Sequence, residues 1–115
     1  MTRQINFQLS TIDDIYVSSD TFEGTYKGKR LFAGYEGENE ATRLSFAFDS
    51  GFDDYTITLL LSGDDLEEIE VELSEDDEYD IPDDYMLPEI VHMRVKAVNE
   101  TQILYSPYIE LLVRK

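Results

Sequence analysis

The amino-acid sequence predicts an all-β fold in one domain spanning residues 1–115, built as an antiparallel sandwich or barrel. Apolar and polar residues alternate along much of the chain, which is the pattern of strands with one buried face. Turn-forming residues interrupt this alternation at intervals of roughly 8 to 12 residues, as is typical of sandwiches and barrels. The chain has 115 residues, 42% of them hydrophobic, which suits one compact core and is too short for two.

The N-terminal segment 1–30 is the least regular part of the sequence. Residues 5–10 (INFQLS) predict one strand and residues 29–37 (KRLFAGYEG) another. Between them, residues 12–28 mix both charges and fit either an uncertain strand at 15–24 or an arm that orders only on assembly. Glycines punctuate this half of the chain, at Gly24, Gly28, Gly34 and Gly37.

Two regular strands are predicted in the middle of the chain. In residues 42–49 (TRLSFAFD), alternate apolar side chains face one way, namely Leu44, Phe46 and Phe48. In residues 55–62 (YTITLLLS), the β-branched and aromatic content supports a second strand. Its inward set comprises Tyr55, Ile57, Leu59 and Leu61.

The densest run of acids follows these strands. Residues 64–84 hold thirteen carboxylates and no Lys or Arg. Gly63 is placed to take positive φ at the first central position of a tight hairpin, so the next run should pair back antiparallel. In that run, acids alternate with Ile69, Val71 and Leu73, which predicts a strand whose acids face outward. A helix is the alternative, because Glu favours helices and apolar residues also recur at helical spacing, but it would place Val71 in water.

The rest of the chain predicts a meander of short strands. Residues 74–77 form a turn and 78–81 a strand closed by Pro82, which can also open one short helical turn near 82–87, ended by Pro88. Residues 90–98 alternate again, with His92, Arg94 and Lys96 on one face and apolar residues on the other. After a turn at 99–100, residues 101–105 pair back, and a last strand follows Pro107, built on Ile109, Leu111 and Val113.

The charge excludes some classes of partner. The formal net charge is −17, and the nine basic residues are confined to positions 3–43 and 94–115. Such a field repels phosphate backbones and anionic lipids, so we expect neither direct nucleic-acid binding nor membrane binding. Basic proteins are candidate partners, although acidity also serves solubility alone. Neither an apolar span nor the features of a signal peptide are found, so a cytoplasmic origin is expected.

The sequence offers no clear catalytic or cofactor chemistry. The chain has no Cys, and its single histidine, His92, is predicted to lie on a solvent-facing strand rather than act as a general base. Residues 74–80 (SEDDEYD) lack the calcium-loop spacing, and alternation sends adjacent acids to opposite sides. We therefore predict a non-enzymatic protein with no cofactor and no metal.

The candidate site for binding a partner is formed by tyrosines and acids at the predicted surface. Tyrosines fall at predicted strand ends and turns, where they either cap a small core or contact partners. The acid run and its tyrosines form the predicted partner-binding set: Glu68, Glu70, Glu72, Asp76, Asp77, Glu78, Tyr79 and Tyr85.

One stretch of the sequence resembles a known class of domain. A polar Gly-rich turn at 37–42 precedes an apolar strand, a Tyr-x-Ile-Pro step lies at 79–82, and a Tyr-Ser step at 105–106 precedes the last strand. Over residues 34–113 this pattern resembles small β-sandwich domains in tail and baseplate proteins from phages of Gram-positive bacteria. The resemblance implies an immunoglobulin-like sandwich that docks onto a virion, with no catalytic residues. The chain differs in ending right after the sandwich and in adding some thirty residues before it.

These features of the sequence suggest two functions. The first is a phage or prophage structural protein, in the tail, in the baseplate or as a head accessory, that docks onto other virion proteins or onto itself. Its location would be the virion, after synthesis in the host cytoplasm. The alternative is a small acidic inhibitor that mimics nucleic acid and blocks a basic groove on a host enzyme.

Overall fold

A computed structural model describes residues 2–63, 66–73, 77–86 and 90–115, and within them the chain forms eleven strands in two packed sheets. The predicted all-β sandwich is confirmed. The strands are β1 (Arg3–Leu9), β2 (Tyr16–Ser19), β3 (Glu23–Thr25), β4 (Leu31–Tyr35), β5 (Thr42–Phe48), β6 (Thr56–Gly63), β7 (Leu66–Glu72), β8 (Glu78–Asp80), β9 (Ile90–Val98), β10 (Ile103–Tyr105) and β11 (Ile109–Arg114).

The first sheet has the order β3-β2-β1-β5-β8 and the second β4-β11-β9-β6-β7, with β10 also paired to β9. Neighbouring strands are antiparallel except for one parallel pair in each sheet, β1 with β5 and β4 with β11. Alternation in the sequence predicts that a segment is a strand, but it carries no information on the direction of a distant partner. The parallel pairs are therefore visible only in the structure.

The core lies between the two sheets. Inward residues of β1 and β5 are buried as the alternation predicts, and the rings of Phe7 and Phe46 stack with centroids 5.3 Å apart. From the second sheet, Leu59, Met93 and Leu111 are fully buried in the same cluster. The sheets are thus held by one continuous apolar layer.

The uncertain N-terminal region 12–28 contains a hairpin. β2 pairs with β1 on one side and with β3 on the other, and Val17 of β2 is fully buried. The strand alternative for this region therefore describes the structure, rather than a detached arm.

The second half is not a simple meander, which corrects the sequence prediction. β7 pairs back on β6 as expected, but β8 crosses to the first sheet and pairs with β5. β9 then returns to the second sheet and pairs with β6. An ion pair across the β5–β8 register, from Arg43 Nε to Asp80 Oδ1 at 2.8 Å, accompanies this crossing.

The prediction for Gly63 is also corrected, whereas the predicted helical turn is confirmed with one addition. Gly63 lies within β6, opposite Leu66, and its φ is outside the left-handed region, while the turn residues 64–65 lie outside the described residues. The predicted helical turn is present as a 3₁₀ turn at Asp83–Tyr85, but Ser50–Phe52 forms a second one. Its cause is a side-chain cap, in which the Gly51 N–H donates to the Asp49 carboxylate at 3.0 Å. Residues 74–76 of the predicted turn, and Pro88, lie outside the described residues.

Candidate functional site

The acid strand β7 forms one edge of the second sheet. Glu68, Glu70 and Glu72 are exposed, whereas Ile69 and Val71 are half-buried against the core. The predicted outward alternation is therefore confirmed. Acidic side chains on an edge strand discourage further strand pairing, which is one structural reason for acids here.

The remaining residues of the predicted partner-binding set divide between surface and core. Glu78 is exposed and lies 3.9 Å from Arg43, at the edge of the first sheet. Asp77 precedes it in the left-handed region, with φ of 49°. Tyr79 is half-buried and packs against the core. Asp76 lies outside the described residues.

Tyr85 belongs to the core rather than to an exposed surface. Its ring is buried, and its hydroxyl donates to the backbone carbonyl of Glu67 at 2.7 Å, which ties the 3₁₀ turn Asp83–Tyr85 to β7. Burial raises the pKa of the Tyr85 hydroxyl, helped by the nearby charges of Glu67 and Asp84. The pKa of Tyr79 is also raised, mainly by burial. The Tyr85 phenol is thus kept in its neutral form, in which it donates to Glu67.

A cluster that the sequence did not single out lies on the outer face of the second sheet. The Arg94 guanidinium carbon lies 4.2 Å from the ring centroid of Tyr105 and 4.6 Å from that of Tyr108. Both tyrosines are about half exposed, at 51% and 52%, and Ile103 is 58% exposed on the same strand as Tyr105. We call Arg94, Ile103, Tyr105 and Tyr108 the tyrosine–arginine patch.

The donors of Arg94 are unusual for so acidic a chain. Its Nε atom is buried and, within the described residues, has no hydrogen-bond partner. Ion pairs in the described part of the chain use Arg3, Arg30 and Arg43, but not Arg94. Contact with two aromatic rings restricts the orientation of the guanidinium.

The register of β9 and β10 explains how the tyrosine–arginine patch forms. Tyr105 pairs with Lys96, one position along the same outward face from Arg94. Ser106 then bridges the interruption at Pro107, because its hydroxyl accepts the Val95 N–H at 2.8 Å and its own N–H donates to the Val95 carbonyl. The alternation of residues 90–98 in the sequence predicts that Arg94 faces outward. Only the pairing register between β9 and β10 brings the tyrosines beside it.

An apolar cavity of about 280 Å³ opens beside β10 at one end of the sandwich. Its walls include Ile15, Phe52, Ala97 and Leu104. Small-molecule pockets typically measure about 300–1,000 Å³, so this cavity lies just below that range. It suits an apolar side chain of a partner better than a large cofactor.

Three further observations concern histidine chemistry, metal binding and membrane spans. His92 lies half-buried on the outward face of β9, opposite Glu110 in the pairing register. In the described ranges, no three His, Asp or Glu side chains come together as a metal site would require, and no helix is long and apolar enough to cross a membrane.

Comparison with known proteins gives no relative from which a function for this site could be inferred. No protein-family model matches the chain, and no curated protein matches it either.

Proposed function

We propose that this chain is a non-enzymatic structural protein of a phage or prophage virion, acting by docking onto other proteins. The observation that carries the proposal is the tyrosine–arginine patch, in which half-exposed rings hold a guanidinium on the face of a stiff sheet. Tyr and Arg are the residue types enriched at the energetic centres of protein interfaces.

The mechanism is rigid presentation of this patch. β9 is hydrogen-bonded on both sides, to β6 and to β10 and β11, so Arg94 stands on an inner strand of the sheet. Tyr105 lies on the short strand β10, and Tyr108 lies in the segment that joins β10 to β11. Little conformational entropy is lost when such a surface binds, and repeated copies in a virion add avidity. The phage assignment itself comes from the resemblance over residues 34–113.

The test is recovery of partners from a lysate of the host in which phage particles assemble. Tagged wild-type protein should recover virion proteins at both low and high salt, identified by mass spectrometry. Tyr105→Ser with Tyr108→Ser should lose them, whereas Tyr35→Ser, which removes a similarly exposed ring from β4, should keep them. Recovery that is independent of Tyr105 and Tyr108 would contradict the proposal.

The alternative function is an acidic inhibitor of a nucleic-acid enzyme. The exposed acids Glu68, Glu70 and Glu72 favour it, because they repeat about every 6.8 Å along one rigid edge strand. Such a complex should form fast and weaken steeply with salt.

Charge removal distinguishes this alternative from the first proposal. Neutralising Glu68, Glu70 and Glu72 to Gln should abolish recovery of a basic nucleic-acid enzyme. A control that changes Asp13, Asp14 and Asp20 to Asn removes the same charge elsewhere and should leave that recovery intact. Binding that persists unchanged from low to high salt would exclude the mimic.

A further inference from the structure

The outer face of the second sheet carries two rows of matched charge. Leu60 of β6 is paired with Glu70 on one side and Arg94 on the other. Thr58, two residues earlier, is paired in the same way with Glu72 and Lys96. Because cross-strand partners point to the same side of a sheet, each row reads acid, neutral residue, base.

Among the described residues, these charges take no part in ion pairs. The ion pairs of the described residues include neither the two acids of β7 nor the two bases of β9. The acidic and basic columns each lie one strand spacing from β6, about 4.8 Å, on opposite sides of it. The backbones of the two columns thus lie about 9.6 Å apart.

We propose that a second copy of this chain packs face to face on this surface, about a two-fold axis parallel to β6. Such a rotation places β7 of one copy over β9 of the other. Each residue keeps its position along the strand direction. Glu70 of each copy then meets Arg94 of the other, and Glu72 meets Lys96. This inference rests on the proposed docking function and names its partner as a second copy.

Three features favour a second copy over an unrelated protein. The two columns are equidistant from β6, so one operation satisfies all four charges of both copies. The residues on the axis are the half-buried Thr58 and Leu60, which is already 3% exposed in a single copy. Both are uncharged, so no charge is placed against itself. The protein has a net charge of −17, so a second copy also supplies the acids that its few bases need. Arg94 and Lys96 meet these acids at the same spacing along the strand.

The tyrosines have a defined place in this dimer. Tyr105 and Tyr108 lie beyond β9, so the rotation sets them at the rim, beside β7 of the second copy. Their stacking on Arg94 holds the guanidinium in one orientation before binding, which lowers the entropy lost when it pairs.

The size of the face sets the expected affinity. Four strands about 4.8 Å apart and roughly 27 Å long cover roughly 500 Å², below the about 800 Å² per partner of a standard interface. We therefore expect a weak, micromolar dimer.

The test is sedimentation equilibrium of the pure, full-length protein up to high micromolar concentration at about 0.15 M salt, where the Debye length is about 8 Å. Wild type should dimerise. Glu70→Arg and Arg94→Glu should each raise the dimer Kd at least tenfold, because each change turns two symmetry-related attractions into repulsions. The double variant, with both charges exchanged, should recover the wild-type Kd to within about threefold.

Matched controls separate the pairing from net charge. Lys27→Glu and Asp20→Arg change the total charge by the same amounts at exposed positions outside the second sheet. Because copies of charge −17 repel each other, Asp20→Arg should strengthen the dimer slightly, whereas Glu70→Arg should weaken it. Glu70 is exposed on an edge strand, so this variant should fold even if Arg94→Glu does not.

Either of two results would overturn the inference: a wild type that stays monomeric throughout, or a Glu70→Arg variant that dimerises as well as wild type. The docking function fails separately. A monomer that still recovers virion proteins through Tyr105 and Tyr108 would refute the dimer alone, and a dimer that recovers none would refute the docking alone.

Discussion

At the scale of single residues, a small polar network joins the two sheets beside the apolar core. Thr42 of β5 is almost fully buried, and its hydroxyl donates to the Ala33 carbonyl of β4 in the opposite sheet. The same hydroxyl accepts from Arg3 Nη1 at 2.8 Å, and Arg3 pairs with Glu38 at 3.1 Å. Every member has a partner, which is the condition under which buried polar groups stabilise a fold.

Replacing the central hydroxyl should destabilise the protein. Thr42→Val keeps the shape but leaves the Arg3 donor and the Ala33 carbonyl without this partner, so unfolding free energy should fall by about 1–3 kcal/mol. Urea unfolding followed by circular dichroism measures it. Thr56→Val makes the same change at an exposed strand position and should alter stability by less than about 0.5 kcal/mol. Equal effects of the two changes would show that the network contributes nothing.

The Glu38 carboxylate should make part of the stability pH-dependent. Its pKa is lowered from the ordinary value of 4.5, first by the hydrogen bond from Arg3 and then by the Tyr35 N–H. A carboxyl with a lowered folded pKa contributes stability above its unfolded pKa and loses it as the pH falls through the folded value.

Glu38→Gln should therefore be less stable than wild type at neutral pH, and the difference should shrink as the pH falls below 4.5. Urea midpoints measured between about pH 7 and about pH 3 test this. Glu36→Gln removes the same charge from the same turn and should cost less at neutral pH. A Glu38→Gln difference that stays constant over the whole pH range would contradict the assignment.

The requirement for glycine at position 34 could not be predicted from the sequence pattern. The sequence marks it only as one of several glycines in an irregular half. In the structure its φ is +137°, and an added Cβ would lie 2.5 Å from Glu38 Oε1 and 2.6 Å from Arg3 Nη1. The glycine is needed because the network passes directly over its backbone.

At the scale of elements, strands were predictable where one face is buried and the other wet. β5, β7, β9 and β11 follow their alternation, because burial in a sandwich repeats every two residues. Strand partners were not predictable in the same way. The crossing of β8 to the first sheet depends on contacts such as Arg43 with Asp80, which join residues 37 positions apart.

The N-terminal hairpin provides a prediction at this scale. β2 is paired on both sides and buries Val17, whereas β3 is a three-residue edge strand. Backbone amides of β2 should therefore exchange with deuterium more slowly than those of β3, and nearly as slowly as those of β1. Hydrogen exchange read by mass spectrometry or NMR measures this. Exchange of residues 16–19 at the rate of an unfolded peptide would restore the detached-arm alternative.

At the scale of the whole molecule, the candidate site was predictable only in part. The acids of β7 were identified as outward-facing, because local alternation decides that. The tyrosine–arginine patch was missed, because it depends on the register between β9 and the interrupted strand formed by β10 and β11. Spatial neighbours set by long-range pairing leave no mark on local periodicity.

The large negative net charge should make the thermal stability of the protein depend on salt. The chain carries −17, while the described residues form four ion pairs, so repulsion among acids should outweigh local attraction. The longest dimension is 42 Å. At about 0.01 M salt the Debye length is about 30 Å, so most acids repel one another across the molecule, whereas at about 0.15 M it is about 8 Å.

The melting temperature of dilute protein at neutral pH should therefore rise as salt increases over this range, because screening relieves repulsion that is strongest in the compact state. Thermal unfolding followed by circular dichroism measures it. The control is the same titration near the sequence pI of about 4.1, where net charge vanishes and the rise should disappear. If salt instead lowers the melting temperature at neutral pH, specific ion pairs such as Arg43 with Asp80 outweigh the overall repulsion, and the acidic surface is an organised electrostatic network rather than a solvated one.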